Sequence, residues 1–195
     1  MAMRQCAKTV SPKVGVFLVL ALGLLTGCSK GAPDIYWSSE QLLRAVDGRD
    51  IGIRKAAMLV LGETKDKRAI GPVLQALSDR DEGIRQTAAL VLGYLKDSAA
   101  LDSLIKAATM DPSADVRERA AGALARFKDA RSMEALIKTL QDQNTHVRIC
   151  AAHALGDLGD KRAMPALAAA LNRKDPDLRD AASVALKKLK KKKGR

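Results

Sequence analysis

Aromatic residues are nearly missing from this chain: Trp, Tyr and Phe together make up 3% of its 195 residues. Proline is sparse at 6, and histidine sparser still at 2. β-Sheets draw on aromatic and β-branched side chains, so a composition led by Ala and Leu points away from them and toward closely packed helices. Three cysteines cannot build a disulfide framework. The longest apolar run, Val14 to Leu25, is twelve residues, short of the roughly 20 that a membrane-spanning helix needs. His146 and His153 stand seven apart, two helical turns rather than one, a poor spacing for sharing a metal. The chain also lacks HExxH, GxSxG and a phosphate-binding glycine loop, the sequence signatures of several hydrolase and nucleotide-binding sites. No metal, cofactor or catalytic residue is expected, and the chain reads as a non-enzyme.

What it does carry is charge, +12 net at neutral pH, and the location of that charge limits its meaning. Arg4, Lys8 and Lys13 lie at the N-terminal end, while Lys187, Lys188, Lys190 to Lys193 and Arg195 crowd the last nine positions. With three cations in the first group and seven in the second, only +2 remains between them. A nearly neutral body lacks the cationic face that grips phosphates, so nucleic acid is disfavoured as a partner. The basic tail, residues 187–195, either complements the negative end of a terminal helix dipole or meets anionic lipid, cell wall or an acidic protein.

The leader is basic, then apolar, and ends in Leu25-Thr26-Gly27-Cys28, which resembles the lipobox of bacterial lipoproteins. The resemblance implies removal of residues 1–27 and lipidation of Cys28, leaving the mature protein on a membrane through two or three acyl chains. An ordinary signal peptide with a chance cysteine is the alternative. Ser29 follows the cysteine, and under the enterobacterial sorting rule the absence of Asp there favours the outer membrane, facing the periplasm, over the inner one. Residues 28–34 then form a lipidated cysteine and short linker. At about 3.5 Å per residue, Ser29 to Pro33 allow the first helix no more than about 20 Å from the anchor.

Beyond the linker the sequence repeats. A shift of 31 residues aligns Arg54 with Arg85 and Arg148 with Arg179, and Arg117 joins the column after one inserted residue near Met110 to Ser113. Each arginine follows an aliphatic residue and precedes an alanine by three and a leucine by seven, as in Ile53, Ala57 and Leu61, a helical stripe. An Asp recurs in the following turn at 66, 97, 129 and 160, and a second apolar pattern then starts at Ile70, Leu101, Met133 and Met164. Each unit is therefore helix, turn, helix, turn. A half-unit at 35–49 precedes the array: Ser38 and Gln41 have capping-box spacing, and Trp37 and Leu42 staple spacing. A fifth first helix, from about Pro176 toward Lys190, closes it with a polar outer face.

The segments VRICAAHALGDLGDKRAMPAL and IRKAAMLVLGETKDKRAIGPVL resemble the HEAT-like repeats first associated with phycobilisome lyases. Over residues 50–186 the resemblance implies an all-α fold, a short right-handed α-solenoid of helix pairs. It also implies that Arg54, Arg85, Arg117, Arg148 and Arg179 form a structural ladder with acids between layers, with Asp50, Asp81, Asp142 and Asp175 near the turns. A phosphate-gripping role for the column is the competing possibility. By analogy with HEAT arrays the second helices line a concave face, whose outward rows hold Gln75, Lys106 and Lys138, and, four residues earlier, Asp102 and Glu134. Asp102 with Lys106 and Glu134 with Lys138 have the spacing of helical ion pairs. Cys150 takes an alanine-like place and is expected to be a buried thiol rather than a nucleophile.

The expectation is a monomeric, non-catalytic scaffold in the cell envelope that binds a protein partner through Gln75, Asp102, Lys106, Glu134 and Lys138. A lyase-like or chromophore-handling protein is the alternative that the family resemblance implies.

Overall fold

The computed structural model describes residues 37–191; the lipobox-like segment, Cys28, the expected linker at 28–34 and the last four residues lie outside them. The described chain contains ten α-helices. A capping helix α1 (Ser39–Val46) precedes four helix pairs: α2 (Ile51–Glu63) with α3 (Ile70–Ala76), α4 (Glu82–Leu95) with α5 (Leu101–Met110), α6 (Ala114–Leu124) with α7 (Ala130–Thr139), and α8 (Thr145–Leu158) with α9 (Met164–Ala170). The last helix is α10 (Pro176–Lys191). Each first helix packs on the first helix of the next unit, forming one row from α2 to α10. This is the all-helical solenoid that the repeat period predicts.

Helix starts follow from short polar side chains. Ser38 accepts from the Gln41 amide while the Gln41 side chain accepts from the Ser38 amide, so α1 begins with a full capping box. Asp50, Asp81, Ser113 and Asn144 each accept from the first turn of α2, α4, α6 and α8. The recurring Asp66, Asp97 and Asp160 cap single 3-10 turns that lead into the second helices, and Asp129 caps α7 directly. Each satisfies amides that the helix itself leaves open.

The core is built of columns rather than clusters. Ala57, Ala88, Ala120, Ala151 and Ala182 are buried at one level, and Leu61, Leu92, Leu124 and Leu155 one turn further on. Trp37 is half-buried against this core. At the other end, Leu189 is fully buried, extending the apolar stripe of Leu178, Ala182 and Ala185. A boundary at residue 186 therefore falls inside α10, because the helix keeps core to cover as far as Leu189.

Candidate functional site

The arginine column forms a chain of contacts through the inter-unit turns. Arg85 donates through Nη1 to the carbonyls of Asp79 and Arg80, in the turn before its unit, and through Nε and Nη2 to the Asp111 carboxylate, in the turn after it. Arg117 repeats this one unit later, with the Asp111 and Pro112 carbonyls behind it and Asp142 ahead at 2.7 and 2.9 Å. Arg54 begins the series on the Val46 carbonyl and Asp79. Each of Asp79, Asp111 and Asp142 also accepts the amide two residues on. A guanidinium with five donors suits such a junction, and the arrangement leaves little room for an outside anion.

The partners differ in part from the expected ones. Asp50 and Asp81 cap helices and do not pair with the column, whereas Asp79 and Asp111 do. Both stand six residues before an arginine of the column, as Asp142 does before Arg148. In the fourth junction that position is Arg173, so Asp175, two residues on, accepts from Arg148 Nη2 at 3.1 Å. The displaced carboxylate leaves the Arg148 Nε buried without a partner. Arg179, expected as the fifth rung, is exposed and meets no acid among the described residues.

Gln75, Asp102, Lys106, Glu134 and Lys138 are all exposed on the second helices. The helical pairs Asp102–Lys106 and Glu134–Lys138 do not close to ion-pair distance. Asp102 instead accepts from Arg131 of the next unit at 2.8 Å, a stiffer planar donor than a lysine. Arg131 belongs to a further column, beyond the expected one. Arg68, Arg131 and Arg162 each stand two residues after a turn aspartate and pair with it, so the legible signal was a repeated Asp-x-Arg. The next residue of the Gln75 row, Ala169, is exposed as well.

A cleft of about 350 Å³ lies between α3 and α5. It opens because α3 stops at Ala76 while α5 continues to Met110, so Leu74 and Leu77 face Ala107, Met110 and Lys106 across a gap. Met110 is 69% exposed.

Other sequence candidates are not gathered into this region. His146 and His153 are both exposed on α8. Cys150 donates its thiol to the Glu118 carbonyl at 3.4 Å, and burial, with a smaller push from Glu118, raises its pKa to about 11. A thiol so held is a poor nucleophile at neutral pH. Among the described residues no three His, Cys, Asp or Glu side chains group as metal ligands, and no helix is long and apolar enough to cross a membrane.

The family described as HEAT repeats matches residues 39–124 and again residues 101–187. Among solved structures, the complex of CpcE and CpcF of phycocyanin lyase from Nostoc sp. PCC7120 is 26% identical with a TM-score of 0.68, covering 84% of this chain and 68% of that one. Escherichia coli YibA shares the fold at 22% identity and a TM-score of 0.64, over 95% of this chain and 65% of its own. A designed armadillo repeat protein in complex with the peptide (KR)4 does so at 20% identity and 0.60, over 76% and 80%. No curated protein matches the chain.

Proposed function

The chain belongs to the HEAT-repeat family, and from that premise we propose that it is a non-catalytic scaffold that binds a protein partner through its second-helix face, held at a membrane of the bacterial envelope by lipid on Cys28. One observation carries the binding part. Buried positions repeat from unit to unit as the same Ala and Leu, whereas the outward second-helix positions differ along the array: Gly71 and Gln75 in the first unit, an acid and a lysine in the second and third (Asp102 and Lys106, Glu134 and Lys138), Pro165 and Ala169 in the fourth. A surface not fixed by folding is free to be specific.

The lipobox-like Leu25-Thr26-Gly27-Cys28 supports the anchor, with Ser29 favouring the periplasmic side of the outer membrane. The short linker makes the partner membrane-proximal, and the exposed Lys187, Lys190 and Lys191 add a second contact to anionic lipid or cell wall. Two measurements test this reading. Cys28→Ser should leave the unprocessed chain or release it to the soluble fraction; unchanged processing and membrane retention would remove the lipoprotein assignment. A photo-crosslinker at Gln75 in intact cells should capture one reproducible envelope protein, and capture of none at good expression would count against the scaffold.

The likeness to the phycocyanin lyase complex favours a second reading, a protein that handles or attaches a chromophore. A stoichiometric visible absorption band on the purified chain would make that reading the better one, and a colourless chain would favour the scaffold.

A further inference from the structure

The acids on the second-helix face do not pair with the lysines of their own helices. Asp102 is held by Arg131, and Glu134 lies within electrostatic reach of Arg162 in the following turn. Asp102 is thus taken by the next unit, while Arg162 itself pairs with Asp160. Lys106 and Lys138, one turn further along α5 and α7, are exposed and have no carboxylate at ion-pair distance. They occupy equivalent positions on two helices that pack against each other, whose axes lie about 8–10 Å apart, so the two flexible lysine stems can set their ammonium groups at a similar spacing.

That spacing has a counterpart in an extended chain. A polyproline II segment rises about 3.1 Å per residue with three residues per turn, so its side chains at i and i+3 share one face about 9 Å apart. The cleft between α3 and α5 opens beside Lys106, on the side away from Lys138, between Leu74, Leu77 and Met110. Its own carboxylates, Asp79 and Asp111, are engaged by Arg54 and Arg85, and Leu74, Leu77, Ala107 and Met110 give the cleft an apolar part beside the polar Ser78 and Ser103.

We propose that this face takes an extended acidic segment of a partner protein, with an apolar side chain in the cleft, a carboxylate on Lys106 and a second carboxylate three residues further on Lys138. The proposal rests on the scaffold reading and specifies the chemistry of its partner. A single cation per carboxylate makes each contact individually weak and salt-sensitive, so recognition comes from matching the repeat spacing.

The test uses the full chain purified in mild detergent and a fluorescein-labelled peptide, Pro-Leu-Pro-Pro-Glu-Pro-Pro-Glu-Pro, followed by anisotropy at low salt. Lys106→Gln and Lys138→Gln should each weaken binding about two- to fivefold, and multiplicatively together. Both side chains are exposed, so neither change threatens the fold. The double charge reversal Lys106→Glu with Lys138→Glu should lose this peptide and gain the version with Lys in place of Glu. Moving the two glutamates next to each other should weaken binding to the unaltered chain. Equal binding of the Glu and Lys peptides, indifference to both substitutions, or tighter binding of a single-stranded oligonucleotide would overturn the proposal. Crosslinking from Gln75 separates the two layers: a reproducible envelope partner without any peptide preference retains the scaffold and removes the acidic segment.

Discussion

Asp142 shows how much one carboxylate carries in this fold. It meets Arg117 through two oxygens, with side-chain exposures of 10% and 7% for the acid and the arginine, and also accepts the Asn144 amide. Removing it by Asp142→Ala leaves a buried guanidinium unpaired, a loss of about 3 kcal/mol that urea denaturation would measure. Burial works to raise the Asp142 pKa, but the hydrogen bonds from Arg117 and Asn144 outweigh it and the net shift is downward. The Asp79 carboxyl is also held low, first by the Asp81 amide. Both folded-state values lie below the unfolded one, so their contribution is complete at neutral pH and is lost as the pH falls below about 4. Stability should drop across that range, and the acid-side slope should be shallower in Asp142→Asn. Ser132 is the opposite case. It is fully buried with no partner for its hydroxyl, in the column where the other units have Ala69, Ala100 and Ala163. Ser132→Ala should stabilise the chain by about 1 kcal/mol, and an unchanged or lowered denaturation midpoint would show that the hydroxyl is satisfied. The arginine column was legible in the sequence because it repeats. Its true partners were less so, because several aspartates crowd each turn and only backbone geometry separates a helix cap from a cross-unit acceptor.

At the scale of the helix, spacing between first helices is set by residues that say little in sequence. A Cβ on Gly93 would fall 2.9 Å from the Ala123 Cβ, and one on Gly156 2.9 Å from the Ala185 Cα, closer than carbon atoms pack. Gly62 belongs to the same column, with Val91 Cγ1 at 3.0 Å. The third unit has Ala125 there, and its first helix, α6, is the shortest of the row at 11 residues. Within one helix these glycines look like weak points, since glycine costs about 1 kcal/mol against alanine. Their purpose shows only when the neighbour some 30 residues away is in place, which is why periodicity alone did not reveal it. Gly93→Ala should therefore destabilise the chain by about 1–3 kcal/mol through overpacking, despite the better helix former. Gly122→Ala is the internal control: its Cβ would meet only the Cys150 Sγ, at 3.7 Å, so it should stabilise by about 0.5–1 kcal/mol. If thermal melts moved both variants the same way, close approach would not be the reason for the glycines.

For the whole molecule, a stack in which each unit touches only its neighbours has stability that divides into units and junctions. The helices α1 and α10 are packed on one side by the rest of the array, whereas α4, α6 and α8 are packed on both. Hydrogen exchange should accordingly be fastest at α1 and α10 and slowest through α4 to α8. The arginine chain sharpens this expectation, because it couples successive junctions: Asp111 takes Arg85 on its carboxylate and Arg117 on its carbonyl, and Asp142 takes Arg117 and Arg148 in the same way. Cutting it at Asp142, between the third and fourth units, should cost more than local stability. The part containing α1 to α7 and the part containing α8 to α10 would then unfold with less regard for each other. Asp142→Ala should broaden the urea transition and lower its apparent m-value, with protection in α8 to α10 falling further than in α2 to α4. The junction before α10 is held by Arg148 and Asp175 alone, with no side-chain contact from the exposed Arg179 among the described residues, which puts the weaker half at the C-terminal side. A single transition of unchanged m-value, with protection lost evenly along the chain, would mean that packing alone couples the units and that the arginine chain contributes only at each separate junction.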